Sequence, residues 1–90
     1  MTWKVELEAE AAKELRKLDR EAARRITKFL SERLAARDDP RSIGEPLKGS
    51  RLGDLWKYRV GDFRIIASIE DARLVVLVVR VGNRKEVYRA

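Results

Sequence analysis

Lys57, Arg59 and Arg64 fall so close together in this 90-residue chain that one β-hairpin can carry all three on a single face. The segment Leu55-Trp56-Lys57-Tyr58-Arg59-Val60-Gly61-Asp62-Phe63-Arg64-Ile65-Ile66 reads as two strands joined at Gly61-Asp62. Its residues are largely aromatic and β-branched, and glycine supplies the positive φ of a tight turn. A two-residue loop pairs Val60 with Phe63, Arg59 with Arg64, Tyr58 with Ile65 and Lys57 with Ile66. Alternation then puts Trp56, Tyr58, Val60, Phe63 and Ile65 on one side and the three cations on the other. Like charges placed directly opposite destabilise a hairpin by roughly 0.2–1 kcal/mol per pair. A chain tolerates that cost when an anion takes up the charge, and a polyanion such as RNA fits.

The residues that are missing narrow the chemistry. With no histidine and no cysteine, the commonest general base, the Ser-His-Asp arrangement and thiolate or imidazole metal ligands are excluded. The carboxylates are mostly interspersed with Lys and Arg, and the adjacent pairs Asp38-Asp39 and Glu70-Asp71 form no convergent set for two metal ions. No Gly-rich phosphate loop is present, so neither a metal nor another cofactor is expected. Lys, Arg and Tyr remain, and they suit cleavage of RNA without metal. There the 2′-OH attacks its own phosphate, so the protein needs only a base, cations for the charge that develops, and a donor at the departing 5′-oxygen. Arginine stays protonated, so Arg59 and Arg64 are charge stabilisers rather than proton donors. In the tail, Val81-Gly82-Asn83 lets the chain turn, and Arg84 and Tyr88 beyond it can reach the cationic face. Tyr88 could stack on a splayed base; equally, Arg84 could be a solvated turn residue and Tyr88 a packing residue.

The elements that must hold these residues follow from periodicity. Trp3-Lys4-Val5-Glu6-Leu7 alternates as a half-buried strand. Ala11, Ala12, Leu15 and Leu18 recur at helical spacing from about Ala9 to Leu18. Asp19 is the expected N-cap of a second helix, Arg20 to about Arg37, with Ala22, Ala23, Ile26, Phe29, Leu30 and Leu34 as its buried stripe. Asp38-Asp39-Pro40 ends that helix, and the tight connection makes an antiparallel helical hairpin. Residues 41–53, rich in Gly and Pro, read as a loop. Strands follow at about Asp54–Val60, Phe63–Ile69 and Leu74–Val81, the last apolar on both faces and therefore central. The order β-α-α-β-β-β predicts one α+β domain over residues 1–90, a helical hairpin packed on a mainly antiparallel four-stranded sheet.

Composition agrees with a small globular chain, 44% hydrophobic and 40% charged. The longest apolar run, Leu74 to Val79, is too short to span a bilayer, and Lys4 and Glu6 interrupt the N-terminus too early for a signal peptide. A cytoplasmic protein is expected. The net charge of +6 is uneven: residues 1–47 hold 11 Lys/Arg against 10 Asp/Glu, and residues 48–90 hold 10 against 5. An anionic partner is thus expected at the C-terminal half, although a basic chain also gains solubility.

Together, the Ala-x-x-Leu-x-x-Leu spacing of Ala12–Leu18, the Pro46-Leu47-Lys48-Gly49 loop, the hairpin block Leu55–Ile66 and the block Val81-Gly82-Asn83-Arg84-Lys85-Glu86-Val87-Tyr88 resemble the RelE/ParE superfamily of bacterial and archaeal toxins. The resemblance covers nearly the whole chain and implies a RelE-like fold. RelE-type members are mRNA interferases, endoribonucleases that cut codons in the ribosomal A site, whereas ParE-type members inhibit DNA gyrase. It implies as partners the ribosome, mRNA and a RelB-like antitoxin that wraps the toxin and represses their shared operon, with no membrane partner. By that resemblance Lys57 and Arg59 occupy the strand positions of the base, and the family more often has lysine at the second, so the arginine here moves the base to Lys57. Arg64 matches the phosphate-stabilising arginine, Arg84 the arginine at the leaving group and Tyr88 the tyrosine that stacks on the codon. Only two residues follow Tyr88, so a longer C-terminal helix is not expected. Lys48, Arg51 and Lys85 are candidate RNA contacts. Arg16, Lys17, Arg20, Arg24, Arg25 and Lys28 are candidates too, although solvated helix surface explains them as well. The alternatives are a gyrase inhibitor and a non-catalytic RNA- or protein-binding module.

Overall fold

The computed structural model describes residues 3–47 and 55–83. In chain order these form β1 (Lys4–Leu7), α1 (Ala9–Lys17), α2 (Arg20–Lys28), β2 (Glu45–Pro46), β3 (Leu55–Val60), β4 (Phe63–Glu70) and β5 (Val75–Asn83). As expected, the two helices pack on one face of a sheet, and Asp19 caps α2, its carboxylate accepting from the Ala22 amide at 2.7 Å. The helix does not end at Lys28 but widens into a π-helical stretch, Phe29–Leu34, in which the Ala35 amide donates to the Leu30 carbonyl. That wider turn lets Phe29, Leu30 and Leu34 all reach the core. Helical geometry stops there, short of Arg37, and Pro40 opens a separate 3-10 turn, Pro40–Ile43.

The sheet has five strands rather than four, in the order β1-β5-β4-β3-β2. The extra strand is the two-residue β2, which lies inside the segment expected to be a loop and pairs antiparallel with β3, Glu45 opposite Lys57 and Pro46 opposite Trp56. Proline is tolerated because β2 is an edge strand with no further neighbour to supply. The first strand pairs in parallel with β5 and every other pair is antiparallel. The strand β5 also runs on through Gly82-Asn83, where a turn was expected. Pairing of Phe63 with Asn83 and Arg64 with Gly82 holds those residues extended.

The core lies between sheet and helices. Ala11, Ile26, Phe29, Leu30 and Leu34 meet Tyr58, Ile65, Ala67, Val76, Val78 and Val81 there, all buried. Two polar bonds tie the helical layer down: the Trp3 indole donates to the Asp38 carbonyl at 3.0 Å, and the Tyr58 hydroxyl to the Pro40 carbonyl at 2.9 Å. Beyond the end of β1, Glu14 of α1 takes over the edge of β5, accepting from the Val81 amide and from Arg80. A smaller apolar cluster of Leu55 and Ile66, flanked by Leu47 and Val79, occupies the opposite face of the sheet.

Candidate active site

The hairpin that carries the cations forms in the register expected, with Lys57 opposite Ile66, Tyr58 opposite Ile65, Arg59 opposite Arg64 and Val60 opposite Phe63. Gly61 takes a φ of +60°, the left-handed conformation that glycine adopts without steric penalty. Trp56, Tyr58, Val60, Phe63 and Ile65 all pack toward the helices. Alternation therefore turns Lys57, Arg59 and Arg64 to the other face, where Leu55 and Ile66 cluster.

The three cations differ in their surroundings. Arg59 is exposed and Lys57 half-buried. Arg64 is only 8% exposed. Its Nη1 donates to the carbonyls of Gly61 (3.1 Å) and Phe63 (2.9 Å), which fixes the guanidinium beside the turn. Among the described residues Arg64 forms no ion pair with a carboxylate. Lys57 Nζ lies 3.5 Å from Glu45 Oε2, a neighbour that reading the segment as a loop concealed. The alternation of Glu45-Pro46-Leu47 after Gly44 was the available signal, and it was too short to register.

Behind this face, Tyr58 supports the hairpin. Its ring meets Phe29 at 6.0 Å between centroids, tilted by 55°, and burial pushes its phenol up to about 12. Nearby, Arg41 forms a two-pronged bond to the Asp71 carboxylate at 3.0 and 2.6 Å and lies over the Trp56 ring. Hydrogen bonding to that carboxylate raises the Arg41 guanidinium, and Arg41 in turn lowers Asp71. The pair clamps the 3-10 turn at Pro40 to the β4–β5 connection. The remaining site residues of the sequence reading, Lys48, Arg51, Arg84, Lys85 and Tyr88, lie outside the described residues.

A rigid guanidinium opposite a second one, with an ammonium two residues along the strand, can bind a phosphate and stabilise charge that grows on it. Comparison with known proteins gives the family of the chain. Toxin RelE of Mycobacterium tuberculosis is 29% identical over 97% of this chain and 87% of its own length. The RelBE2 toxin–antitoxin complex of the same organism shares the fold, with a TM-score of 0.83 at 24% identity over 96% of this chain and 95% of that one. An archaeal RelE in a RelE–RelB complex from Pyrococcus horikoshii gives a TM-score of 0.73 at 29% identity, each chain covered in full. The family described as the ParE toxin of type II toxin-antitoxin system, parDE, matches residues 5–88. With a match of that extent and relatives of that kind, the chain belongs to the ParE toxin family of type II toxin–antitoxin systems and is RelE-like within it.

Proposed function

We propose that this toxin is a ribosome-dependent endoribonuclease that cuts mRNA in the A site by attack of a 2′-OH on its own phosphate. The observation that carries the reading is the cross-strand pair of Arg59 and Arg64 with Lys57 on the same sheet face. Lys57 takes the proton of the 2′-OH as its oxygen bonds to phosphorus. Arg64, held by two carbonyls, and Arg59 stabilise the added negative charge on the phosphoryl oxygens. The bond from phosphorus to the 5′-oxygen then breaks and that oxygen takes up a proton from solvent water, leaving a 2′,3′-cyclic phosphate on one product and a 5′-hydroxyl on the other. Arg84 is assigned to the charge on the leaving oxygen and Tyr88 to stacking on the codon, with Lys48, Arg51 and Lys85 as further RNA contacts. The side-chain inventory, without histidine or cysteine, supports chemistry that needs no metal or cofactor. A RelB-like antitoxin is the proposed protein partner, supported by the two similar toxins whose structures are complexes of toxin with antitoxin. The ribosome sets the proposed compartment as the cytoplasm; among the described residues no helix is long and apolar enough to cross a membrane.

Mapping mRNA 5′ ends after induced expression tests this reading, which expects new ends at fixed positions within codons. Gyrase inhibition is the second reading, favoured by the family description that the chain matches. It expects DNA damage and recovery of gyrase with the toxin, and no codon-positioned ends.

A further inference from the structure

The strand β5 outlasts its neighbour β1. Their parallel pairing ends at Leu7 opposite Val78, and the Glu8 amide makes the final bond, to the Val78 carbonyl at 2.9 Å. From Val79 to Asn83 only β4 pairs with β5. The register slips at the same point: Ile66 stands opposite Arg80 but Ala67 opposite Val78, which leaves Val79 as an extra residue. Such a bulge breaks the ladder locally and re-aims the side chains beyond it. Here Val78 and Val81 both enter the core although three residues apart, and Val79 lies on the other face. The bulge thereby decides which residue of β5 comes to rest beside the reaction hairpin. That residue is Gly82, opposite Arg64, which is itself opposite Arg59. A glycine there adds no side chain to the row.

A strand end that is bulged and paired on one side only is prone to local opening. Glu14 of α1 supplies the missing support. One carboxylate oxygen accepts from the Val81 amide at 3.0 Å and the other from Arg80 Nε at 3.1 Å, and bonds of this kind to an ionised acceptor are among the stronger ones. Amide directions alternate along an antiparallel strand, so the Val81 amide turns to Glu14 and the Gly82 amide turns back to β4, where Arg64 is its partner. Glu14 is thus attached one residue away from the pair that holds Arg64 in place. It reaches the strand from the helical layer, whereas Lys57, Arg59 and Arg64 face the other way, so any influence on the reaction runs through β5.

We infer that Glu14 is a positioning residue for RNA cleavage: by pinning β5 beyond its bulge, it keeps Gly82 in register with Arg64 and holds that guanidinium where the reacting phosphate binds. The inference rests on the reading of this chain as an RNA-cleaving toxin and adds the part of the fold that sets the site's geometry.

The test compares wild type with Glu14→Ala, Glu14→Asp, Glu14→Gln and Arg80→Ala. Val76→Ala serves as a control, because it weakens the buried, opposite end of the same strand. Three quantities are read well below each melting temperature: single-turnover cleavage on saturating programmed ribosomes, affinity for ribosomes carrying a message with a 2′-H at the cut, and NMR of the Gly82 amide and the Arg64 Nε–H. Glu14→Ala is expected to cleave on the order of tenfold to a hundredfold more slowly, as displacement of a reacting group does, with affinity within about threefold of wild type. Its Gly82 amide should exchange faster with solvent and its Arg64 signal should move. Glu14→Asp, one methylene short, should fall between, and it carries the test if Glu14→Ala does not fold. Glu14→Gln keeps an acceptor for Val81 and Arg80→Ala keeps the whole carboxylate, so both should recover to within about fivefold of the wild-type rate. Val76→Ala should cleave like wild type. A wild-type rate in Glu14→Ala, an equal slowing in Val76→Ala, no recovery in either conservative variant, or a loss confined to ribosome affinity overturns the inference. A wild type that cleaves no message drops the nuclease reading instead. The hold of Glu14 on Arg64 is then decided by NMR alone: faster Gly82 exchange with a moved Arg64 signal keeps it, and unchanged spectra overturn it.

Discussion

Glu45 Oε2 stands 3.5 Å from Lys57 Nζ across the β2–β3 pair, so the lysine assigned as base has an acid beside it. Glu45 is largely exposed, and such a pair contributes about 0–1 kcal/mol to stability. Glu45→Gln should therefore leave the thermal midpoint within a few degrees of wild type. It also removes a competitor for the Lys57 ammonium, so RNA cleavage in a reconstituted translation assay is expected to be undiminished. A loss of more than tenfold would mean that Glu45 takes part in the chemistry.

Arg64 should behave in the opposite way. Its bonds to Gly61 and Phe63 hold the turn, so Arg64→Ala costs about 1–2 kcal/mol of stability. The larger effect is on the reaction: removing one preorganised charge donor typically lowers a rate by roughly 10²–10³-fold. Arg64→Lys keeps the charge but loses the fork, and it should fall between the two. Single-turnover cleavage, measured beside urea unfolding, separates these contributions.

Tyr58 makes stability depend on pH at the alkaline end. Its folded value of about 12 lies above the 10.0 of an ordinary phenol because burial disfavours the phenolate. A raised folded value means that the unfolded chain loses this proton first. The contribution is thus complete below pH 10 and disappears as pH rises from about 10 to 12, on the order of 2–3 kcal/mol in all. Tyr58→Phe should abolish that alkaline step in urea titrations. At neutral pH it should cost about 1–2 kcal/mol through the unsatisfied Pro40 carbonyl.

Gly44 is fixed by contact rather than by its backbone conformation. A Cβ there would stand 2.7 Å from Tyr58 Cε1 and 3.0 Å from Cζ. Gly44→Ala should displace the ring and destabilise the fold by about 1–3 kcal/mol, read as a lower urea midpoint at unchanged m-value.

The hairpin register, the Asp19 cap and the helical stripe were legible in the sequence because each rests on local spacing. Alternation around Gly61 settles which residues of β3 and β4 share a face, and helical spacing picks out Ile26, Phe29, Leu30 and Leu34 as buried, although Phe29–Leu34 winds wider than 3.6 residues per turn. What escaped is non-local. The two residues of β2 carry no period of their own and become a strand only by pairing with Trp56 and Lys57. Gly82-Asn83 has the composition of a turn, yet pairing with Phe63 and Arg64 keeps it extended. Net charge is blind to pairing for a similar reason. The near-neutral first half hides an outer face of α2 on which Arg20, Arg24, Arg25 and Lys28 stand unpaired among the described residues.

The most direct test of the central claim uses programmed ribosomes carrying two messages that differ by one atom, a 2′-OH or a 2′-H at the nucleotide before the cut. The account expects the first message to be cut, with a 2′,3′-cyclic phosphate and a 5′-hydroxyl as end groups, and the second to remain whole. Cleavage of both at similar rates, or a 5′-phosphate on the product, would contradict it.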